Sequence, residues 1–300
     1  MRALARTGSP RPILPDNTQV EWTDIADLCT ITDWPKLLDG VTTVIHLAAR
    51  THVLHETEAD SLSAYRRINV TATENLAHAC AKAGVKRLVF LSSIKVNGES
   101  TTRQPFRATD TPQPQDAYGI SKCEAEQALF RIASETGLEI TVIRPPLVYG
   151  PGVKGNFRRL LGIARRGWPL PLASVHNRRS FVYVENLADA IAVCTTHPAA
   201  AGKTFLVSDG TELSTPQLIR ELALRLGARA PLWPCPAWLF QGAATAVGRG
   251  AEAARLLGSL QVDSTGIRSE LGWSPPYSPA QGLDQTARWF SGQSSVKSNT

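Results

Sequence analysis

Four short runs in the first half of the chain are apolar and rich in β-branched residues: TQVEW (18–22), TTVIHLA (42–48), RLVFLS (87–92) and EITVIRP (139–145), each bounded by turn residues. Such runs predict buried strands. Between the later ones, the pattern is helical over 59–83 and 116–136, and each stretch stops before a glycine, Gly84 and Gly137. Glycine just past the last turn is the expected helix stop. Alternating strand and helix predict an α/β fold, with a parallel sheet covered by helices on both faces. Ligands of such sheets lie outside the carboxyl ends of the strands. Those ends carry HLAAR (46–50), SSIKVNGE (92–99) and RPPLVYGPG (144–152). After residue 150 the pattern loosens, with helices expected at 155–167, 185–195, 215–227 and 280–291 and a strand near 203–208. The polar end, GQSSVKSNT, is expected to fray.

Composition narrows the function classes. A chain of 300 residues with 43% hydrophobic and 19% charged residues reads as a soluble globular protein of one large or two ordinary domains. The net charge is 32 − 26 = +6. No arginine block exceeds two residues and no aromatic platform interleaves with them, which favours anionic small molecules over nucleic acid. The pairs Arg158–Arg159, Arg165–Arg166 and Arg178–Arg179 suit a phosphate, or are solvated faces. Cys29, Cys80, Cys123, Cys194 and Cys235 are odd in number and scattered, without C-x-x-C spacing, which argues against a disulfide framework and against a zinc site. The N-terminus has no apolar signal core. The longest mostly apolar stretch, PAWLFQGAATAV (236–247), is too short and interrupted to span a bilayer. A cytoplasmic protein without bound metal is expected.

Candidate chemistry sits in DAYGISKCEAE (116–126). Residues four apart share one helix face, so Tyr118 and Lys122 can point at the same spot. A phenol ordinarily titrates near 10, too high for a base at neutral pH, and a nearby cation would lower it. Spacing alone leaves two readings open, a surface pair or an acid–base catalyst. Ser92 and Ser93, after the strand at 87–92, face the same crevice or merely cap the strand.

A serine after one strand, a tyrosine and lysine four apart on the next helix, a proline turn after the next strand, and IHLAAR together resemble the extended short-chain dehydrogenase/reductases, the NAD-dependent epimerase/dehydratases of nucleotide sugars. The resemblance covers nearly the whole chain and includes RSFVYVENLADAI (179–191) and DSTGIRSELGW (263–273). SSIKVNGE and YGPGVKGNF (149–157) are especially similar to the branch of UDP-glucose or UDP-N-acetylglucosamine 4-epimerases and UDP-4-keto-sugar reductases. It implies a Rossmann-like doubly wound parallel sheet over 1–150, a smaller and mainly helical substrate lobe over 151–292 with some chain crossing back to the sheet, and a disordered tail at 293–300. It implies Ser93, Tyr118 and Lys122 as the catalytic group, with Tyr118 lowered by Lys122. Asp24, Ile25, Leu47, Ala48, Ala49 and Pro145 would join Tyr118 and Lys122 around the cofactor, which is NAD, or NADP if Arg6 reaches a 2′-phosphate. Asn156, Arg179 and Arg255, with Ser93, would hold a UDP-sugar acted on at carbon 4. Asn69 has either a helix-packing or a proton-relay role, and His46 a structural one. Epimerase, UDP-4-keto-6-deoxy-sugar reductase and inactive sugar-nucleotide-binding remnant all remain open, as does a homodimer.

One departure stands out. The family's G-x-x-G-x-x-G after its first strand is absent near the start, and MRALART resembles the family's second strand. The resemblance implies that a first strand, phosphate loop and helix, on the order of thirty residues, lie outside these 300. It also implies a sheet broken open where that strand belongs.

Overall fold

The computed structural model describes residues 1–11, 19–31, 33–51 and 61–297, the side chains of 251 and 294–297 excepted. Along the chain run β1 (Arg2–Arg6), β2 (Glu21–Ile25), α1 (Trp34–Leu38), β3 (Thr43–His46), α2 (Ser61–Arg66), a π-helical turn (Arg67–Thr71), α3 (Ala72–Lys82), β4 (Arg87–Leu91), α4 (Ala117–Thr136), β5 (Glu139–Arg144) and β6 (Leu147–Tyr149). There follow α5 (Gly155–Arg166), β7 (Arg179–Tyr183), α6 (Val184–Thr196), β8 (Lys203–Leu206), β9 (Glu212–Leu213), α7 (Thr215–Arg225), α8 (Ala237–Ala246), α9 (Gly250–Leu257), α10 (Thr265–Leu271) and α11 (Pro279–Lys297).

The central sheet is parallel, in the order β3-β4-β5-β8. Its middle strands are buried on both faces, which explains their mostly apolar sequences; Thr141 of β5 is buried too, its hydroxyl donating to the Ala200 carbonyl at 2.7 Å. Leu88 and Phe90 of β4 pack with Ile140 and Val142 of β5 under Leu76 and Cys80 of α3 and Leu129 and Ile132 of α4. The alternate positions, Val89 and Ile143, pack on the other face with Leu187 and Ile191 of α6 and Ile267 of α10. Two helical layers over one parallel sheet make the doubly wound α/β arrangement that the sequence implied. β8 joins this sheet from beyond residue 150, pairing with β5. A further sheet, β6-β7-β9, underlies a second core in which Tyr149, Phe157, Leu161, Leu222, Leu283 and Phe290 meet from α5, α7 and α11.

The sheet is in two pieces. β1 pairs in parallel with β2, and among the described residues no ladder joins β1 to β3. Leu4 on β1 and Ile45 and Leu47 on and beyond β3 are exposed, so the break leaves apolar side chains in water.

Several boundaries differ from expectation. The strand expected at 18–22 lies at Glu21–Ile25, where it matches the length of β1, and Thr18 is outside the described residues. The helix expected over 59–83 begins at Ser61, with residues 59 and 60 outside the described range, and is interrupted by the π turn. The last helix does not fray at 293 but runs to Lys297, because no proline or glycine follows Gly292 to stop it. The elements β6, β7, β9, α8, α9 and α10 were not expected as such. The strands among them are too short to show a period, and α8 carries no polar face.

Candidate active site

The site is assembled at the carboxyl ends of β3, β4 and β5. After β4 the chain turns through a single 3₁₀ turn, Ile94–Val96, capped by Ser93, whose Oγ accepts from Lys95 N at 3.3 Å. α4 starts beside it. Asp116 caps the helix by accepting from Gly119 N at 2.7 Å, and Gly137 closes it with φ +78°. A side chain at Gly119 would stand 2.9 Å from the Lys95 carbonyl, so glycine is what lets the serine turn rest on the helix's first turn. Tyr118 lies in that turn. Its hydroxyl is near enough to the Ser93 side chain for that side chain to pull the phenol's titration down.

The turn and the helix are tied together by charge. The Lys95 ammonium pairs with Asp116 and, at 2.8 Å, with Glu99. Deeper, Arg144 at the end of β5 donates to Glu126 of α4 at 3.0 and 3.2 Å and to Asn97 Oδ1 at 3.0 Å. Ser92 Oγ also donates to Glu126. All four of these residues are buried. The two serines thus separate: Ser92 is part of the frame and Ser93 faces Tyr118. Ile94 N donates to the carbonyl of Pro145 at 3.0 Å, which fixes the turn to β5 as well.

Lys122 is buried, and among the described residues its ammonium has no hydrogen-bond acceptor; it stands 3.9 Å from the centroid of the Phe90 ring. Burial pulls it down to about 7, against the pull of Glu126 one turn on. The expected lowering of Tyr118 is not present. Burial pushes the phenol up to about 12 despite the opposing influence of Ser93, with Asp116 and Tyr65 acting in the same direction as burial. The reason is geometric: Lys122 is on the correct helix face, but its ammonium is turned to Phe90.

Asn69 sits in the π turn, a local feature frequent at functional sites. Its Nδ2 donates to Ser121 Oγ at 2.9 Å and to the Arg50 carbonyl at 3.0 Å, and its Oδ1 accepts from Arg50 N at 2.7 Å. Ser121 in turn donates to the Tyr118 carbonyl. Asn69 therefore ties the end of β3 to the tyrosine helix. His46 bonds Thr73 at 2.9 Å and is held neutral by burial, in keeping with a structural role.

The remaining candidates are spread. Leu47 and Ala48 are exposed and Ala49 half-buried at the end of β3, while Pro145 is buried. Ile25 ends β2, and Asp24 beside it is paired with Arg11 at 2.9 Å. Arg179 Nη1 donates to the carbonyls of Arg255 and Gly258 at 2.6 and 3.0 Å, and the Arg255 charge acts on it. These two arginines come together, and Glu99 acts on Arg179 from the serine turn. Asn156 is exposed on the first turn of α5, and among the described residues no hydrogen bond joins it to either arginine. Sequence reasoning missed Lys95, Asp116, Glu126 and Arg144. A signal was available for one of them, since Glu126 is four residues past Lys122 and so on the same helix face.

Among the described residues no group of His, Cys, Asp and Glu is placed to hold a metal, and no helix is long and apolar enough to cross a membrane. Comparison with known proteins adds family and relatives. A UDP-glucose 4-epimerase of Vibrio cholerae is 44% identical over 271 residues, 89% of this chain and 82% of that protein. An N-acetyl-α-D-glucosaminyl-diphospho-ditrans,octacis-undecaprenol 4-epimerase of Escherichia coli O157:H7 is 28% identical over 286 residues, 90% of this chain and 83% of that one. Among solved structures, MoeE5 in complex with UDP-glucuronic acid and NAD superposes with a TM-score of 0.74 at 25% identity, covering 94% of this chain and 89% of that one. The model of the NAD dependent epimerase/dehydratase family matches residues 3–208, and this chain belongs to that family.

Proposed function

We propose that this protein is a UDP-sugar 4-epimerase of the UDP-glucose/UDP-N-acetylglucosamine type, an NAD-dependent enzyme acting at sugar carbon 4. The observation that carries the reading is the placement of Ser93 beside Tyr118, with Lys122 one turn along the same helix. The 44% identity to a UDP-glucose 4-epimerase supports the substrate class.

The residues present fit the nicotinamide end of the cofactor. A buried ammonium with no acceptor among the described residues suits a ribose hydroxyl, so Lys122 would hold the nicotinamide ribose beside Tyr118 and Pro145. Leu47, Ala48 and Ala49 leave the end of β3 open along the cofactor's length. Asp24 and Ile25 would hold the adenine, for which Asp24 must exchange its Arg11 partner. NAD, when bound, supplies the acceptor and later the donor of the hydride at carbon 4. Ser93 would hold the 4-oxygen. Tyr118 would take the proton from that oxygen and return it once the sugar has turned its other face. With the phenol held up to about 12 it is protonated at neutral pH, so turnover needs a cation beside it. Lys122, swung off the Phe90 ring, is the group of this chain that supplies one.

Arg179 and Arg255 would grip the diphosphate bidentately, with Asn156 at its edge. In this reading 1–150 serves the cofactor and 151–292 the substrate, and the enzyme works in the cytoplasm as a homodimer. The test is to incubate the protein with NAD and UDP-glucose or UDP-N-acetylglucosamine and follow the sugar by proton NMR. The 4-epimer is expected to form, and Tyr118→Phe to lower turnover by a factor on the order of 100. Failure to convert either sugar, with NADH- or NADPH-dependent reduction of the 4-keto-6-deoxy derivative instead, would overturn the epimerase reading in favour of a reductase.

A further inference from the structure

Helix α8, AWLFQGAATA, contains no charged residue and no buried one. A surface helix ordinarily hides one apolar stripe; this one only half-buries Phe240, against the second core, and Ala244 one turn on. Trp238 is 75% exposed, Leu239 49% and Val247, just past its end, 71%. The surface continues beyond the helix. Leu170 and Leu232 form a bridge, with Leu170 N donating to the Pro231 carbonyl and Trp233 N to the Leu170 carbonyl, both at 3.0 Å, so Trp168 and Trp233 lie on neighbouring segments. These tryptophans are 57% and 50% exposed.

The charge around this patch is mostly of one sign. Neither 155–170 nor 228–251 contains an Asp or Glu, and the carboxylate that follows, Glu252, is paired with Arg159 at 2.8 Å. Arg165 and Arg166 are exposed at the end of α5, Arg229 approaches Gly167 through its carbonyl, and Arg249 closes α8. Arg166 lies over the Trp168 ring at 5.0 Å. That ring is a near neighbour in the sequence, whereas Arg165 meets the Phe290 ring by tertiary contact, at 5.0 Å.

We propose that α8 and the Trp168–Trp233 corner form a docking face for an anionic lipid surface. An apolar helix lying flat, tryptophans at the boundary and arginines around it match the interfacial arrangement in which apolar side chains enter the acyl boundary and guanidinium groups meet lipid phosphates. At ten residues α8 is about 15 Å long, enough to lie in the interface and too short to cross it. A second copy of this chain is disfavoured as the occupant. In a twofold contact Arg165, Arg166 and Arg249 would approach copies of themselves. An acidic protein would satisfy the arginines but gives no reason for tryptophans on three separate segments.

The test is co-sedimentation of the full chain with vesicles of phosphatidylcholine alone and with added phosphatidylglycerol, at low and high salt, with tryptophan fluorescence read in parallel. Binding to the anionic vesicles is expected, with a blue shift and loss in high salt. The paired change Trp238→Ser and Leu239→Ser should weaken it by at least about tenfold. Arg166→Gln with Arg249→Gln should do the same by loss of charge alone, at about fivefold per arginine. All four side chains are exposed, so the fold should survive, and Val247→Asp gives an independent apolar probe at the other end of the helix. No binding to anionic vesicles at low salt would overturn the proposal. So would binding that these variants retain, or a dimer in sedimentation velocity that the Trp238/Leu239 change dissolves.

Discussion

Charge lies inside the molecule where the serine turn meets the tyrosine helix, and apolar surface lies outside it on the C-terminal lobe. Glu126 and Arg144 are buried between the sheet and α4, whereas Trp238 and Val247 stand in water. Each reverses the default, since ionised groups stay out unless paired and large apolar groups collect inside. The difference lies in how each exception is supported. The buried ions meet Ser92 and Asn97 as well as each other, so their geometry holds the serine turn against the tyrosine helix. Among the described residues the exposed apolar groups have no such hydrogen-bonded partners, which is why they point to something beyond the protein.

The largest effect is expected on breaking the buried pair. Glu126→Gln leaves Arg144 a buried charge without its counter-ion, and urea unfolding should show a loss of about 3–5 kcal/mol. The exposed fork of Arg66 on Glu124 provides the contrast. There Glu124→Gln should cost no more than about 1 kcal/mol. Equal losses at the two sites would remove the distinction between frame and surface.

Next comes the Lys95–Asp116 clamp. Lys95→Met should lower kcat about tenfold through misplacement of Ser93, with little change in KM for NAD. It should also raise the titration of Tyr118, because Asp116 then acts on the phenol unopposed. Asp116→Asn should lower that titration, and Lys95→Arg should restore kcat. A shift in the same direction for Lys95→Met and Asp116→Asn would mean that the clamp only stabilises the fold.

Lys122 offers a smaller effect of opposite sign. Folding lowers it from 10.5 to about 7, so between those values the unfolded chain binds more protons and stability rises with pH. Below pH 7 the full cost is present. Lys122→Met should therefore raise the melting temperature at pH 7 by at least about 2 °C and flatten the rise toward pH 10, while removing activity. The smallest change is expected at the exposed helix. In the absence of vesicles, Trp238→Ser should alter stability by less than about 0.5 kcal/mol. A larger loss would mean that α8 supports the lobe rather than serving an outside surface.

Much of this was legible in the chain itself. The middle strands β4 and β5 announce themselves as mostly apolar, β-branched runs because both faces are covered. α4 carries its own start and stop in Asp116 and Gly137, and the four-residue spacing puts Tyr118 and Lys122 on one face. These are local properties, set by backbone geometry within a few residues. The break in the sheet could also be expected, from the strand that MRALART resembles.

What the sequence could not decide was direction and partnership across distance. That Lys122 turns to Phe90, 32 residues earlier in the chain (122 − 90), follows from how α4 packs on β4. Glu126 finds Arg144 only because α4 lies over β5, and Arg158 and Arg165 find Trp289 and Phe290 only because α11 returns against α5. The same holds for α8. Its sequence reads as a stretch for burial, and only the packing of the C-terminal lobe leaves it outside. Local sequence fixes which face of an element a residue occupies; the arrangement of elements decides what, if anything, that face meets.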